Sequence, residues 1–482
     1  MQELYSPIIG LEIHAHVKTK TKMFCDSLND PDEKTPNTNV CPVCLSHPGT
    51  LPVINEEAVK KVILAGMAMD CTIARDTFFE RKNYFYPDLP KGYQISQYQK
   101  PLCEHGFLIL KSGKKVRITR IHLEEDAGRL YHTPGSEYSL VDFNRASVPL
   151  MELVTEPDLA SATEVREFAT ELQLLLRYLG VSDADMEKGL MRVEVNISLT
   201  GRDGKWGTKV EVKNLNSIKA AHDAVNYEME RQRETIEKGE RIEQETRGWD
   251  ENKKRTFSQR SKEEAHDYRY FPEPDLPPLS FKEEYLEEVR KEMPELPSLR
   301  RDRFKEQYGL PENDIEIFVV NKRLGDFYEH VASEILALES KDQIRLLKLA
   351  ANYIITELQK LISESGVPLE DSKISPENFA QLIVHVAKGN ISSTAAQTVL
   401  RETFATGQDP DQIIKEKDLS QVSDTAELTE VVAKVISANV KAVEDLKKGK
   451  EASLKFLVGA VMRETKGKAN PQIVEKMIKE IV

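Results

Sequence analysis

Nineteen of the chain's 23 prolines lie at or before Pro311, and only four follow it. Proline lacks a backbone donor and pushes the residue before it out of helical geometry, so the two stretches cannot be built alike. Up to about residue 290, short β-branched runs alternate with a few helices: KVRITRIHL (115–123), MRVEVNISL (191–199) and TKVEVKNL (208–215). This predicts an α+β domain with a largely antiparallel sheet. FPEPDLPPL (271–279) and MPELPSL (293–299) then interrupt regular structure and place a boundary near 293. Beyond it helical periodicity takes over, in LLKLAANYIITELQKLI and PENFAQLIVHVAKG. A second break at GQDPD (407–411) predicts two all-α domains, so the chain divides as 1–293, 294–408 and 409–482. At 482 residues it is too long for a single core.

One helix has both ends written out. Ser161 and Glu164 stand at capping-box spacing, Gly180 stops the helix, and Val165, Phe168, Leu172, Leu175, Leu176 and Leu179 form one apolar stripe. A second helix is predicted from about Ser217 to Gly239.

The net charge of −13 excludes broad, non-specific nucleic-acid binding, so any RNA contact needs a local patch. Residues 434–482 supply one, with 11 Lys plus Arg against 6 Asp plus Glu, and LKFLVGAVMRETKGKANP (454–471) joins an apolar helix to a basic turn. A surface helix pair has the same composition. Five cysteines are no disulfide framework, MQELYSPIIG has no leader pattern, and apolar runs such as VILAGMAM (62–69) are too short for a membrane span. A cytoplasmic protein is expected.

The chemistry must come from side chains on strands, because the sequence has neither GxxxxGK[ST] nor a GxGxxG after a strand. In PIIGLEIHAHV, Glu12 and His14 are two apart and project to one face, with His16 continuing the row. Glu124, Glu125 and Asp126 in RIHLEEDAG, and Glu152 in PLMELVTEPD, are further acids in sheet positions. Carboxylates on a rigid sheet suit a hard cation such as Mg²⁺, whereas the imidazole leaves Mn²⁺ or Zn²⁺ open. Solvated strand-face charges would give the same pattern. In MRVEVNISL the polar face carries Arg192, Glu194, Asn196 and Ser198; in TKVEVKNL it carries Lys209, Glu211 and Lys213. Such faces either bind phosphate and carboxylate together or pair their charges across strands. RKNYFYPDLPKGYQISQYQKPL (81–102) and DYRYFPEPDLPPL (267–279), the latter with Arg269, read as aromatic and basic binding loops. Cys25, Cys41 and Cys44 have the spacing of three of the four ligands of a structural zinc site, which Asp26 or His47 would complete, and unmetallated thiols in a turn would give the same spacing.

These segments together, IGLEIH, PNTNVCPVCLSHPGTLPVIN, RKNYFYPDLPKGYQISQ, ITRIHLEEDAGR, DFNRASVPLMELVTEPD, GTKVEVKNLNS, ETRGWDE, DYRYFPEPDLPPL and FLVGAVMRETKGKANPQ, resemble the GatB family of tRNA-dependent amidotransferase subunits over nearly the full length. The resemblance implies a cradle domain with a glutamine synthetase-like sheet, a helical domain and a YqeY-like helical tail that binds tRNA. It implies a carbon–nitrogen ligase using glutamine as nitrogen donor. ATP would phosphorylate the side-chain carboxylate of mischarged Glu-tRNA(Gln) or Asp-tRNA(Asn), and ammonia from the partner amidase would displace the phosphate. A small third subunit would tie the two larger ones together, and the mischarging synthetase is a further partner. By the same resemblance Glu12, His14, Glu125 and Glu152 would form the Mg²⁺ and catalytic site, with Glu124 as neighbour. Arg192, Glu194, Lys213 and Arg269 would contact ATP or the acyl phosphate. Zinc-bearing members have CxC before CPxC, whereas this chain has Cys25-Asp26-Ser27, so one thiolate is missing. Two rival readings make different predictions. A small-molecule carboxylate ligase would turn over without tRNA, and an RNA-binding scaffold would lose no activity on Glu12→Ala.

Overall fold

The computed structural model describes residues 5–132, 135–201, 205–261, 267–338, 342–420, 425–447, 449–465, 469 and 471–482. Lys466 and Lys468 of the basic turn lie outside the described residues. The chain divides into two compact units, Met1–Pro297 and Ser298–Val482. The first is α+β and the second all-α.

The first unit is organised by a nine-stranded sheet. In spatial order its strands are Arg255–Ser261, Glu245–Asp250, Val210–Leu215, Met191–Leu199, Pro7–His16, Pro149–Thr155, Lys115–Glu125, Cys103–Ile109 and Thr72–Ile73. Every pairing is antiparallel except that between Val210–Leu215 and Glu245–Asp250. Alternation along the central strands sends Leu11, Ile13, Ala15, Ile121, Leu123, Met151, Leu153, Val193 and Val195 into one core. The helices Glu56–Ala68, Ala162–Tyr178 and Ile218–Glu237 contribute to that core. The capped helix begins where its sequence says: the Ser161 hydroxyl accepts from the Glu164 amide at 3.2 Å.

The segments read as binding loops are partly strand. Glu80–Asn83 lies between Tyr93–Ser96 and Phe271–Pro272 in a separate three-stranded sheet. Runs of two to four residues, rich in aromatic and basic side chains, carry too little alternation to be seen in sequence.

The second unit consists of helices, with one π-helical turn at Ile354–Leu358. Its last part has its own apolar cluster, including Leu428, Val432, Leu457, Val461, Val474 and Ile478. Among the described residues, no helix is long and apolar enough to cross a membrane.

Candidate active site

The face of the sheet opposite the core gathers acids, imidazoles and guanidinium groups, and register explains why. His14 pairs with Glu152 on one side and Arg192 on the other, while Glu152 pairs with His122. Cross-strand partners share a face, so His122, Glu152, His14 and Arg192 form a row across four strands. Two residues along, Glu12 stands opposite Glu194.

The side chains converge. His14 Nε2 lies 3.2 Å from Glu152 Oε2 and 3.9 Å from both Glu12 Oε1 and Glu124 Oε1. Donor atoms of Glu12, His14 and Glu152 all fall within 4.8 Å of one another, as do those of His122, Glu124 and Glu152. Ser96 Oγ donates to Glu124 Oε2 at 3.0 Å, and Arg120 stands 3.6 Å from Glu152. Lys213 Nζ bridges Glu194 at 2.6 Å and Glu211 at 3.5 Å beside Glu12. On the other flank, buried Asp126 receives Arg145 at 2.6 Å and Arg192 at 3.1 Å, and lies 2.8 Å from His16 Nε2.

Crowded acids set the electrostatics. Burial, then repulsion from Glu152 and Glu194, raises the Glu12 pKa above the usual carboxylate value. Burial works against a charged His14, but the hydrogen bond to Glu152 and the fields of Glu152, Glu124 and Glu194 prevail and push its pKa up to about 9. Glu152 is held low, because His122 and His14 outweigh its burial. Asp126 is held well below the carboxylate range by Arg145 and Arg192 despite burial. Two carboxylates and an imidazole whose donor atoms all lie within 4.8 Å of one another are a set that fits a divalent cation, as Glu12, His14 and Glu152 do here.

The structure brings together some of the residues expected from the sequence and not others. Glu12, His14 and Glu152 meet, and Arg192, Glu194 and Lys213 flank them. Glu125 does not join: strand alternation turns it from Glu124, and its carboxylate holds Lys91 Nζ at 2.6 Å and the Ile95 amide at 2.9 Å. Glu124 takes its place beside His14. Arg269 stands on an exposed turn, where its carbonyl accepts from Asn83 Nδ2. His122 was missed, although it stands two residues before Glu124 and the same alternation rule points to it.

Cys25, Cys41 and Cys44 converge, with Cys41 and Cys44 Sγ atoms 3.9 Å apart, and this cluster could bind a metal. Neither Asp26 nor His47 completes the group. Ser27 Oγ and the buried Lys22 ammonium instead stand 3.9 and 3.8 Å from Cys44 Sγ. The hydrogen bond from Cys25 draws the Cys44 pKa down to about 4.

A rigid sheet that presents acid, imidazole and guanidinium groups to one point, followed by a helical part with a basic end, is the build of an enzyme with a charged substrate. Residues 7–287 match the family model described as the GatB/GatE catalytic domain, and residues 336–482 match the GatB domain. Relatives named as the B subunit of aspartyl/glutamyl-tRNA(Asn/Gln) amidotransferase are similar end to end. That of Thermotoga maritima is 47% identical over 486 residues, covering 99% of each chain. That of Carboxydothermus hydrogenoformans is 47% identical over 483 residues, covering 99% of this chain and 98% of the relative. The chain belongs to the GatB family of amidotransferase subunits, and is an enzyme of the carbon–nitrogen ligase class.

Proposed function

We propose that this chain activates the side-chain carboxylate of Glu-tRNA(Gln), Asp-tRNA(Asn) or both by phosphorylation from ATP, and that ammonia then displaces the phosphate to give the amide. Ammonia would come from glutamine through the partner amidase, with a small third subunit completing a heterotrimer and the mischarging synthetase handing over tRNA. The observation that carries this reading is the convergence of Glu12, His14, Glu152 and Glu124 beside Arg192 and Lys213. A carboxylate is a poor electrophile, and phosphorylation supplies its leaving group. Glu12, His14 and Glu152, with Glu124 in the place expected of Glu125, would hold Mg²⁺. When bound, the ion would supply neutralisation of phosphate charge.

The chain's own residues do the rest. Arg192, oriented by Asp126, and Lys213, oriented by Glu194, offer cations from the adjacent strands Met191–Leu199 and Val210–Leu215 to the phosphates or the acyl phosphate. Arg269 would reach the same ligands from its exposed turn. The three thiols would hold a structural zinc only with an outside fourth ligand, because Ser27 replaces the missing thiolate. In a division into 1–293, 294–408 and 409–482, activation would belong to the first part and tRNA contact to the last. Action on aminoacyl-tRNA puts the reaction in the cytoplasm.

The test is amidation by the chain reconstituted with its amidase and small partner chains. ATP-dependent formation of Gln-tRNA(Gln) from Glu-tRNA(Gln), abolished by His14→Ala, is expected. Turnover of free glutamate without tRNA would favour the small-molecule ligase instead.

A further inference from the structure

Beside the carboxylate cluster runs a ladder of tyrosines that the reading above leaves unused. Tyr84 meets Tyr268 edge-on with ring centres 5.9 Å apart, Tyr268 meets Tyr270 at 6.1 Å, and Tyr270 stacks on Tyr98 at 4.5 Å with 12° between the planes. Tyr98, at the end of the ladder, is 52% exposed, with the Arg120 guanidinium over its ring. The stack on Tyr270 holds the ring, and the backbone beneath it is fixed. The Tyr98 amide and that of Gln99 both donate to Oε2 of the fully buried Glu80 at 2.8 Å, and the neighbouring Gln97 accepts from the Leu123 amide at 3.1 Å. Ser96, two residues earlier, is the partner of Glu124.

The other side of the stack is fixed just as firmly. Arg269 has a φ of +44°, in the left-handed region that non-glycine residues rarely occupy. The strain is held by Asn83, whose amide donates to the Tyr268 carbonyl and whose side chain donates to the carbonyls of Tyr268 and Arg269. Such strain persists where the surroundings impose it, commonly at ligand sites. Here it places Tyr268 and Tyr270 against their neighbours. Arg120 links the ladder to the acids: its guanidinium lies 5.9 Å from the Tyr98 ring centre and 3.6 Å from Glu152.

We propose that Tyr98, backed by Tyr270, is a stacking platform for an adenine base. The inference rests on the activation reading, because both proposed substrates end in adenosine: ATP, and the tRNA whose terminal ribose carries the amino acid. A rigid aromatic face with a cation nearby, two contacts from the acids, is the chemistry that receives a base without reading its sequence.

The test titrates the full chain with ADP in Mg²⁺, and separately with a tRNA acceptor minihelix with and without its terminal adenosine. It compares wild type, Tyr98→Phe, Tyr98→Leu and Tyr98→Ala. Weakening of one probe by about tenfold in the leucine and alanine variants, with wild-type affinity in Tyr98→Phe, is expected and names the source of the base. The leucine variant keeps bulk if alanine disturbs the fold. Binding of both probes that is indifferent to loss of the ring overturns the platform alone. Failure of the wild type to bind either probe sinks the activation reading beneath it.

Discussion

Asp126 shows how single residues hold this site in shape. It is buried and accepts Arg145 and Arg192, while His16 lies against it. Removing the carboxylate leaves two guanidinium groups facing each other. Asp126→Ala is therefore expected to destabilise the first unit by about 3 kcal/mol, at the low end for a broken buried pair because Arg192 is half-exposed, as measured by denaturant unfolding. The same group sets a pH dependence. Its native pKa is depressed, so its contribution is complete above the unfolded value of about 3.9 and is lost as pH falls through the native one. The stability advantage of wild type over Asp126→Asn should thus be full above about pH 4 and shrink in more acid solution. An advantage that grew on acidification would contradict the assigned charge.

At the scale of elements, the capped helix and the central strands were legible because their signals are local. Ser161, Glu164 and Gly180 mark the ends of a helix whose apolar stripe is complete, and strict alternation in MRVEVNISL fixes which face is buried. Ser161→Ala should cost about 1 kcal/mol in thermal or chemical unfolding. What sequence could not give was the partner of each strand. Glu12 and His14 could be assigned to one face, but only register brings His122 and Glu152 beside them from strands more than a hundred residues away. Glu125, expected beside Glu12 and His14 from the resemblance, turns instead to Lys91 and Ile95 because adjacent strand residues face opposite sides. A further limit is close packing. A Cβ on Gly106 would meet Cys71 Sγ at 2.2 Å and the Met69 carbonyl at 2.6 Å. Gly106→Ala should lower the unfolding midpoint clearly, whereas alanine at Gly113, which has open space around it, should act only through its positive φ.

For the whole molecule, an acidic chain must concentrate its RNA contacts. Lys441, Lys455 and Arg463 are exposed in the last helical part, and replacing all three by glutamine should make the salt dependence of tRNA binding shallower by about three in the log–log slope. ATP binding should stay unchanged. An unaltered slope would mean that the basic end does not meet phosphate. If the acids and imidazole on the sheet activate a carboxylate, the reconstituted complex in Mg²⁺ with no ammonia donor should transfer the ATP γ-phosphate to Glu-tRNA(Gln). Transfer by wild type and none by Glu12→Ala, with tRNA binding retained, is expected. Equal transfer by both proteins would contradict it and move the activating site away from Glu12 and His14.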